Sequence, residues 1–74
     1  MVTYNINSSS RINQVRFNPE NRDIEITFKG NKIYLYKSVS EWDYHRLMEA
    51  IENRESVGKT FEKYIKLKYA GKKL

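Results

Sequence analysis

The segment DIEITFK, residues 23–29, alternates without interruption. Ile24, Ile26 and Phe28 fall on one side of an extended chain, and Glu25, Thr27 and Lys29 on the other. A strand with one apolar face needs partners beside it and a cover over it, and in 74 residues few segments can supply either. Val15 and Phe17 alternate with Gln14 and Arg16 to give a strand before it, which Ile12 can join through a bulge. Asn18-Pro19 and Asn21 mark the turn between the two. Gly30-Asn31 marks the next turn, and residues 32–37, KIYLYK, form a third strand. The polar residues 1–8 are expected to be loose at their start.

The cover comes from the second half of the chain. Ser40 reads as a helix N-cap whose hydroxyl accepts from the Asp43 backbone N–H, and the Asp43 charge suits the positive end of the helix. Val39 and Tyr44 occupy the positions of a hydrophobic staple. Tyr44, Leu47, Met48 and Ile51 then recur at helical spacing along one stripe. The polar residues 53–56 end this helix. A second is predicted over residues 57–67, with Phe61, Tyr64 and Ile65 as its apolar face. The fold class is therefore α+β: a three-stranded antiparallel β-meander covered on one face by two C-terminal helices, in the order β-β-β-α-α. With no cysteine, neither a disulfide nor a thiolate metal site can staple so small a chain, and His45 is its one histidine. Six tyrosines, three phenylalanines and one tryptophan must supply much of the burial.

Tyr34 and Tyr36 share a face of the third strand, and which face depends on one residue of register. A two-residue turn at Gly30-Asn31 sets Phe28 against Ile33 and turns both tyrosines away from the core. A three-residue loop, residues 30–32, sets Phe28 against Tyr34 and Ile26 against Tyr36, making both rings core. Outward rings would form a stacking platform of the kind single-strand binders use. Inward rings would be structural.

The net charge of +5 is unevenly placed. Residues 1–58 are balanced, whereas residues 59–74 hold six lysines against Glu62 alone. At the α-helical advance, Lys59, Lys63 and Lys66 lie within about 60° of one another, opposite Phe61 and Ile65. Lys68, Lys72 and Lys73 extend the charge. Such a stripe fits contacts to backbone phosphates, and it equally fits an ordinary solvated helix face. Trp42 falls on the side of its helix away from Leu47, Met48 and Ile51, beside Arg46, as an interface or stacking ring or as a first-turn ring folded back on a strand end. The segment VGKTF, residues 57–61, resembles a phosphate-binding loop only in part: Asn53 stands where that loop needs glycine, and a helix precedes it instead of a strand. No nucleophile is placed with His45, so an enzyme is not expected.

The residues 8–40, from Ser8 to Ser40, and the later SVGKTFEKYIKLKY resemble the KTSC domain, a small module named for the C-terminus of some lysyl-tRNA synthetases and also found as a stand-alone bacterial or phage protein. Its central Tyr-x-Tyr is met by Tyr34-Leu35-Tyr36. Its serine-rich start followed by isoleucine is met by Ser9, Ser10 and Ile12. Its small-Gly-basic-x-Phe segment is met by Ser56, Gly58, Lys59 and Phe61, followed by Ile65 and Tyr69. Ser40 departs from the family, which often has proline there, and Trp42 stands where a small or polar residue is more usual. The resemblance implies one domain over 1–74, with a core of about 8–69 and a frayed basic tail over 70–74. RNA binding is the function usually suggested for the family.

The expectation is a non-enzymatic, cytoplasmic module without cofactor, metal or membrane span. It would bind RNA or another nucleic acid through Lys59, Lys63, Lys66, Lys68, Lys72 and Lys73, with Tyr34 and Tyr36 stacking on bases. The alternative is a protein-binding module, or a small phage-type regulator, that docks on a larger host protein through Trp42 and Arg46.

Overall fold

In the computed structural model, which describes Met1–Leu74, the sheet has five strands where the sequence pattern gives three. They are β1 (Val2–Asn5), β2 (Ile12–Asn18), β3 (Asp23–Phe28), β4 (Lys32–Tyr36) and β5 (Lys72–Lys73), antiparallel throughout and in sequence order across the sheet. Helix α1 (Glu41–Glu52) and helix α2 (Val57–Phe61) cover one face, and α2 runs on through a π-helical segment, Glu62–Lys66. The α+β class and the helical cover are as expected; the strand number is corrected.

Both additional strands draw their stability from partners far away in sequence. In β1, Tyr4 lies opposite Val15, its ring meets Phe17 edge-on at 5.7 Å, and its hydroxyl donates to Glu52 at 2.9 Å. That bond, together with burial, raises the Tyr4 pKa. The tail expected to fray is paired instead. Lys72 and Lys73 lie opposite Leu35 and Tyr34, and the Leu74 N–H donates to the Ile33 carbonyl at 2.9 Å. The exposed edge of β4 supplies these backbone partners, which no local pattern in a lysine-rich end announces.

The bulge expected near Ile12 is present between Ile12 and Gln14 in the β2–β3 ladder. The β3–β4 loop is three residues, Lys29–Asn31, one residue earlier than the three-residue alternative. Ile26 therefore faces Tyr34 and Ile24 faces Tyr36, and both tyrosines take the core side. Gly30 and Asn31 both have positive φ, 87° and 61°, a tight reversal that glycine and asparagine tolerate best.

The core lies between this face and the helices. Phe17, Ile24, Ile26, Leu47, Phe61 and Ile65 are among its fully buried members. Ser40 caps α1 as expected, accepting from the Asp43 N–H at 3.2 Å, and Val39 and Tyr44 are both buried. Rings meet edge to face, Phe17 with Tyr44 at 5.0 Å and Phe61 with both Tyr36 and Phe28, the geometry that ring quadrupoles prefer.

Gly71 lets the chain return to the sheet. A Cβ there would stand 2.7 Å from Cζ of Tyr36, a ring held by the core and unable to step aside. Gly71→Ala is expected to cost about 1–3 kcal/mol, as overpacking does, and to lower the melting temperature by at least several degrees. An unchanged melting temperature in a thermal denaturation series would refute this close approach.

Candidate nucleic-acid interface

The loop Lys29–Asn31, the bulge at Ile12 and the end of α2 all come together beside one cleft. The Lys29 N–H donates to the Arg11 carbonyl at 2.8 Å, which brings Arg11 alongside the end of β3. The cleft measures about 300 Å³; Phe28, Tyr34, Tyr36 and Phe61 form its walls and Arg11, Lys32 and Lys66 its rim. Phe28 and Tyr34 are half-buried and meet edge-on at 5.7 Å. No carboxylate lines it, although Glu62 pairs with Arg11 from outside. Lys73 lies opposite Tyr34 across the β4–β5 ladder and so shares its face of the sheet, whereas Lys72 pairs with Leu35 and takes the other.

Of the two tyrosines, Tyr34 presents the more accessible ring to the cleft. Tyr36 is 5 % exposed and packs on Phe61, and burial, with Tyr34 nearby, pushes its hydroxyl pKa up. The expectation that Tyr36 stacks on a base is corrected: it is part of the core.

The lysines divide among three places. Lys59 and Lys63 are exposed and line the groove between α1 and α2, together with Arg46 and Tyr64. Lys66 faces the aromatic cleft instead. The single stripe drawn at the α-helical advance fails because residues 62–66 wind as a π-helix, whose wider i→i+5 turn advances less per residue and carries Lys66 away from the other two. Lys68 is also not part of a stripe. Its Nζ lies 3.2 Å from Oδ1 of Asp43, which is 2 % exposed and otherwise unpaired in charge. Lys68 is thus the counter-ion of a buried carboxylate.

Asp43 itself is the hub of a compact network. It accepts from the Tyr69 hydroxyl at 2.8 Å and from the Ser40 hydroxyl at 3.0 Å, while the Tyr69 oxygen accepts from the Ser40 N–H at 2.9 Å. Burial pushes the Asp43 carboxyl up, but the bonds from Tyr69, Lys68 and Ser40 outweigh it and hold the pKa below the ordinary 3.8. The network ties the segment after the π-helix to the first turn of α1.

Trp42 is 63 % exposed, and the Arg46 guanidinium lies 4.5 Å above its ring. Arg46 also approaches the Tyr64 ring at 6.0 Å, and Lys63 approaches it at 5.4 Å. Trp42 therefore joins the basic groove through Arg46. His45 packs edge-on against Tyr44, and no three histidine, cysteine or acidic side chains gather as a metal site. No helix is long and apolar enough to cross a membrane.

Sequence reasoning missed Arg11, Lys32 and Phe28 as members of a site. Arg11 reaches the cleft only through the Ile12 bulge, and Lys32 and Phe28 become neighbours of Tyr34 only once the hairpin register is known.

The KTSC domain family model matches residues 8–69, most of the chain. A crystal structure of a KTSC domain protein from Yersinia pestis is similar over 99 % of this chain and 96 % of that one, with 32 % identity and a TM-score of 0.79. Comparison with curated proteins finds no match. On the strength of the family match over most of its length and of this full-length structural likeness, the chain belongs to the KTSC domain family.

Proposed function

We propose that this protein is a non-enzymatic module that binds single-stranded RNA, with one base entering the cleft against the accessible faces of Phe28 and Tyr34 and the neighbouring phosphates on Lys32, Lys66 and Arg11. The observation that carries the reading is the cleft itself: aromatic walls under a rim of three cations, with no carboxylate in the lining. Stacking on aromatic side chains is tolerant of sequence because every base offers a π-face, and cations beside it track the backbone. Lys73, at its register position opposite Tyr34, adds positive charge on the same face of the sheet.

The second reading, a protein docked on Trp42 and Arg46, has the high exposure of Trp42 in its favour. An isolated tryptophan would have supported it better. Here Arg46 joins Trp42 to the groove that holds Lys59 and Lys63.

Fluorescence anisotropy of labelled single-stranded RNA tests the proposal. With about three phosphate contacts, raising salt from about 50 to about 200 mM is expected to weaken binding roughly 20-fold. Tyr34→Leu is expected to weaken it about 5- to 100-fold at fixed salt, the worth of one stacked base. Lys32→Gln, at an exposed position, should flatten the salt slope without disturbing the fold. No binding at the lower salt would remove the RNA reading, and a protein partner would then be sought through Trp42→Ala.

A further inference from the structure

Four surface grooves lie in sequence around the helical side of the molecule, and a cation lies at each junction between them, with Glu55 sharing the second junction and Glu49 the third. Arg11 lines both the aromatic cleft and a neighbouring pocket built from Ser8, Ser9, Ser10 and Arg54. Lys59 lines that serine pocket and also the groove between α1 and α2. Arg46 lines the α1–α2 groove and also the hollow beside Trp42. The series starts at the half-buried rings of Phe28 and Tyr34 and ends at the exposed ring of Trp42.

From this succession we infer that a single RNA strand follows one continuous path from the Phe28–Tyr34 cleft to Trp42, its phosphates resting in turn on Arg11, Lys59 and Arg46. The inference rests on the single-strand reading above and adds the route, the second stacking site and the length of strand required. The serine pocket offers a phosphate in passage the Ser8 and Ser10 hydroxyls with Arg11, Arg54 and Lys59, against which Glu55 and Glu62 also line it. Glu62, which pairs with Arg11, Glu55 beside Lys59, and Glu49 beside Arg46 keep the middle of the path from holding a strand by charge alone. Affinity then depends on the rings at both ends. The molecule measures 27 × 26 × 23 Å, so a path over one side of it holds several nucleotides, and a short oligomer cannot reach both ends.

The test uses the one tryptophan of the chain as its own reporter. Oligouridylates of about 3 and about 10 nucleotides bracket the lower part of the site-size range of about 4–16 known for compact single-strand binding folds. Each is titrated against the intact protein by anisotropy and by tryptophan emission. Both oligomers are expected to bind in a manner sensitive to Tyr34→Leu, and the longer alone should change the Trp42 emission. Trp42→Ala should weaken the longer oligomer about 5- to 100-fold and leave the shorter unaffected. Lys59→Gln, in the middle of the path, should likewise weaken the longer oligomer alone. Binding of the longer oligomer with unmoved Trp42 emission overturns the path while the cleft reading stands. A change of emission with the shorter oligomer also overturns it, since it would place a complete site at Trp42. No binding of either overturns both.

Discussion

Phe61→Ala is expected to cost about 3–5 kcal/mol, the usual loss for removing a buried phenylalanine and leaving a cavity behind. A chain of this length holds on the order of 4–11 kcal/mol in all, so the loss removes from about a quarter of the stability to all of it. The reason is position. Phe61 is 1 % exposed, meets Tyr36 at 5.5 Å and Phe28 at 5.6 Å, and joins the last turn of α2 to two strands of the sheet. Without a disulfide, no covalent tie limits the damage. Phe61→Leu keeps most of the volume and should cost no more than about 1.5 kcal/mol. Urea denaturation followed by circular dichroism compares the two. A loss below about 1 kcal/mol for Phe61→Ala would mean that the site collapses around the smaller side chain, and the account of the cleft floor would fall with it.

Replacing Asp43 by alanine is expected to cost about 2–4 kcal/mol, because several hydrogen bonds to a charged acceptor are lost together. The Ser40 hydroxyl keeps the residue-43 backbone N–H but loses the carboxylate it donates to, and the Tyr69 hydroxyl and Lys68 lose the acceptor that holds the C-terminal segment against α1. The half-exposed Lys68 returns to solvent easily, so the ion pair contributes less to this than the buried oxygens of the network. Asp43→Asn keeps the shape and removes the charge, and its dependence on pH isolates the carboxylate. The folded-state pKa lies below the unfolded value of 3.8, so the charge stabilises the fold fully above that value. The contribution fades as pH falls through 3.8 and is lost once pH passes below the folded-state pKa. The stability gap between the parent and Asp43→Asn should therefore stay constant near neutrality and close in acid. A gap that ignores pH across that window would show that the carboxylate is not the stabilising element.

The elements read most easily from the sequence are those whose signal is local. Ile24, Ile26 and Phe28 alternate within one segment, and Ser40, Asp43 and Tyr44 fix the start of α1 within five residues, so β3 and the helix cap follow from neighbours alone. The strands β1 and β5 do not. Tyr4 is ordered by Phe17 and Glu52, and Lys72 by the free edge of β4, both remote in the chain. Local charge rules described Asp43 correctly as an N-terminal acid on a helix and gave no hint that Tyr69 and Lys68 close over it. The candidate site follows the same division. That Lys59 and Lys63 are exposed neighbours on one side of α2 was legible from helical spacing. Lys66 was misplaced because the π-helical winding of residues 62–66 leaves no mark in the periodicity. Tyr34 hung on a register that two plausible loop lengths assigned to opposite faces, and the cleft became visible only when that register was fixed.

The short strand β5 has a protective consequence. Without it, β4 would present the segment KIYLY as an open ribbon of unpaired amides, rich in β-branched and aromatic residues, the kind of edge along which separate molecules zip together. Covering part of that ribbon with two lysines leaves the new outer boundary short and positively charged on both faces of the sheet. Two such boundaries repel one another. The same lysines that give the chain much of its excess charge thus act as a guard against self-association.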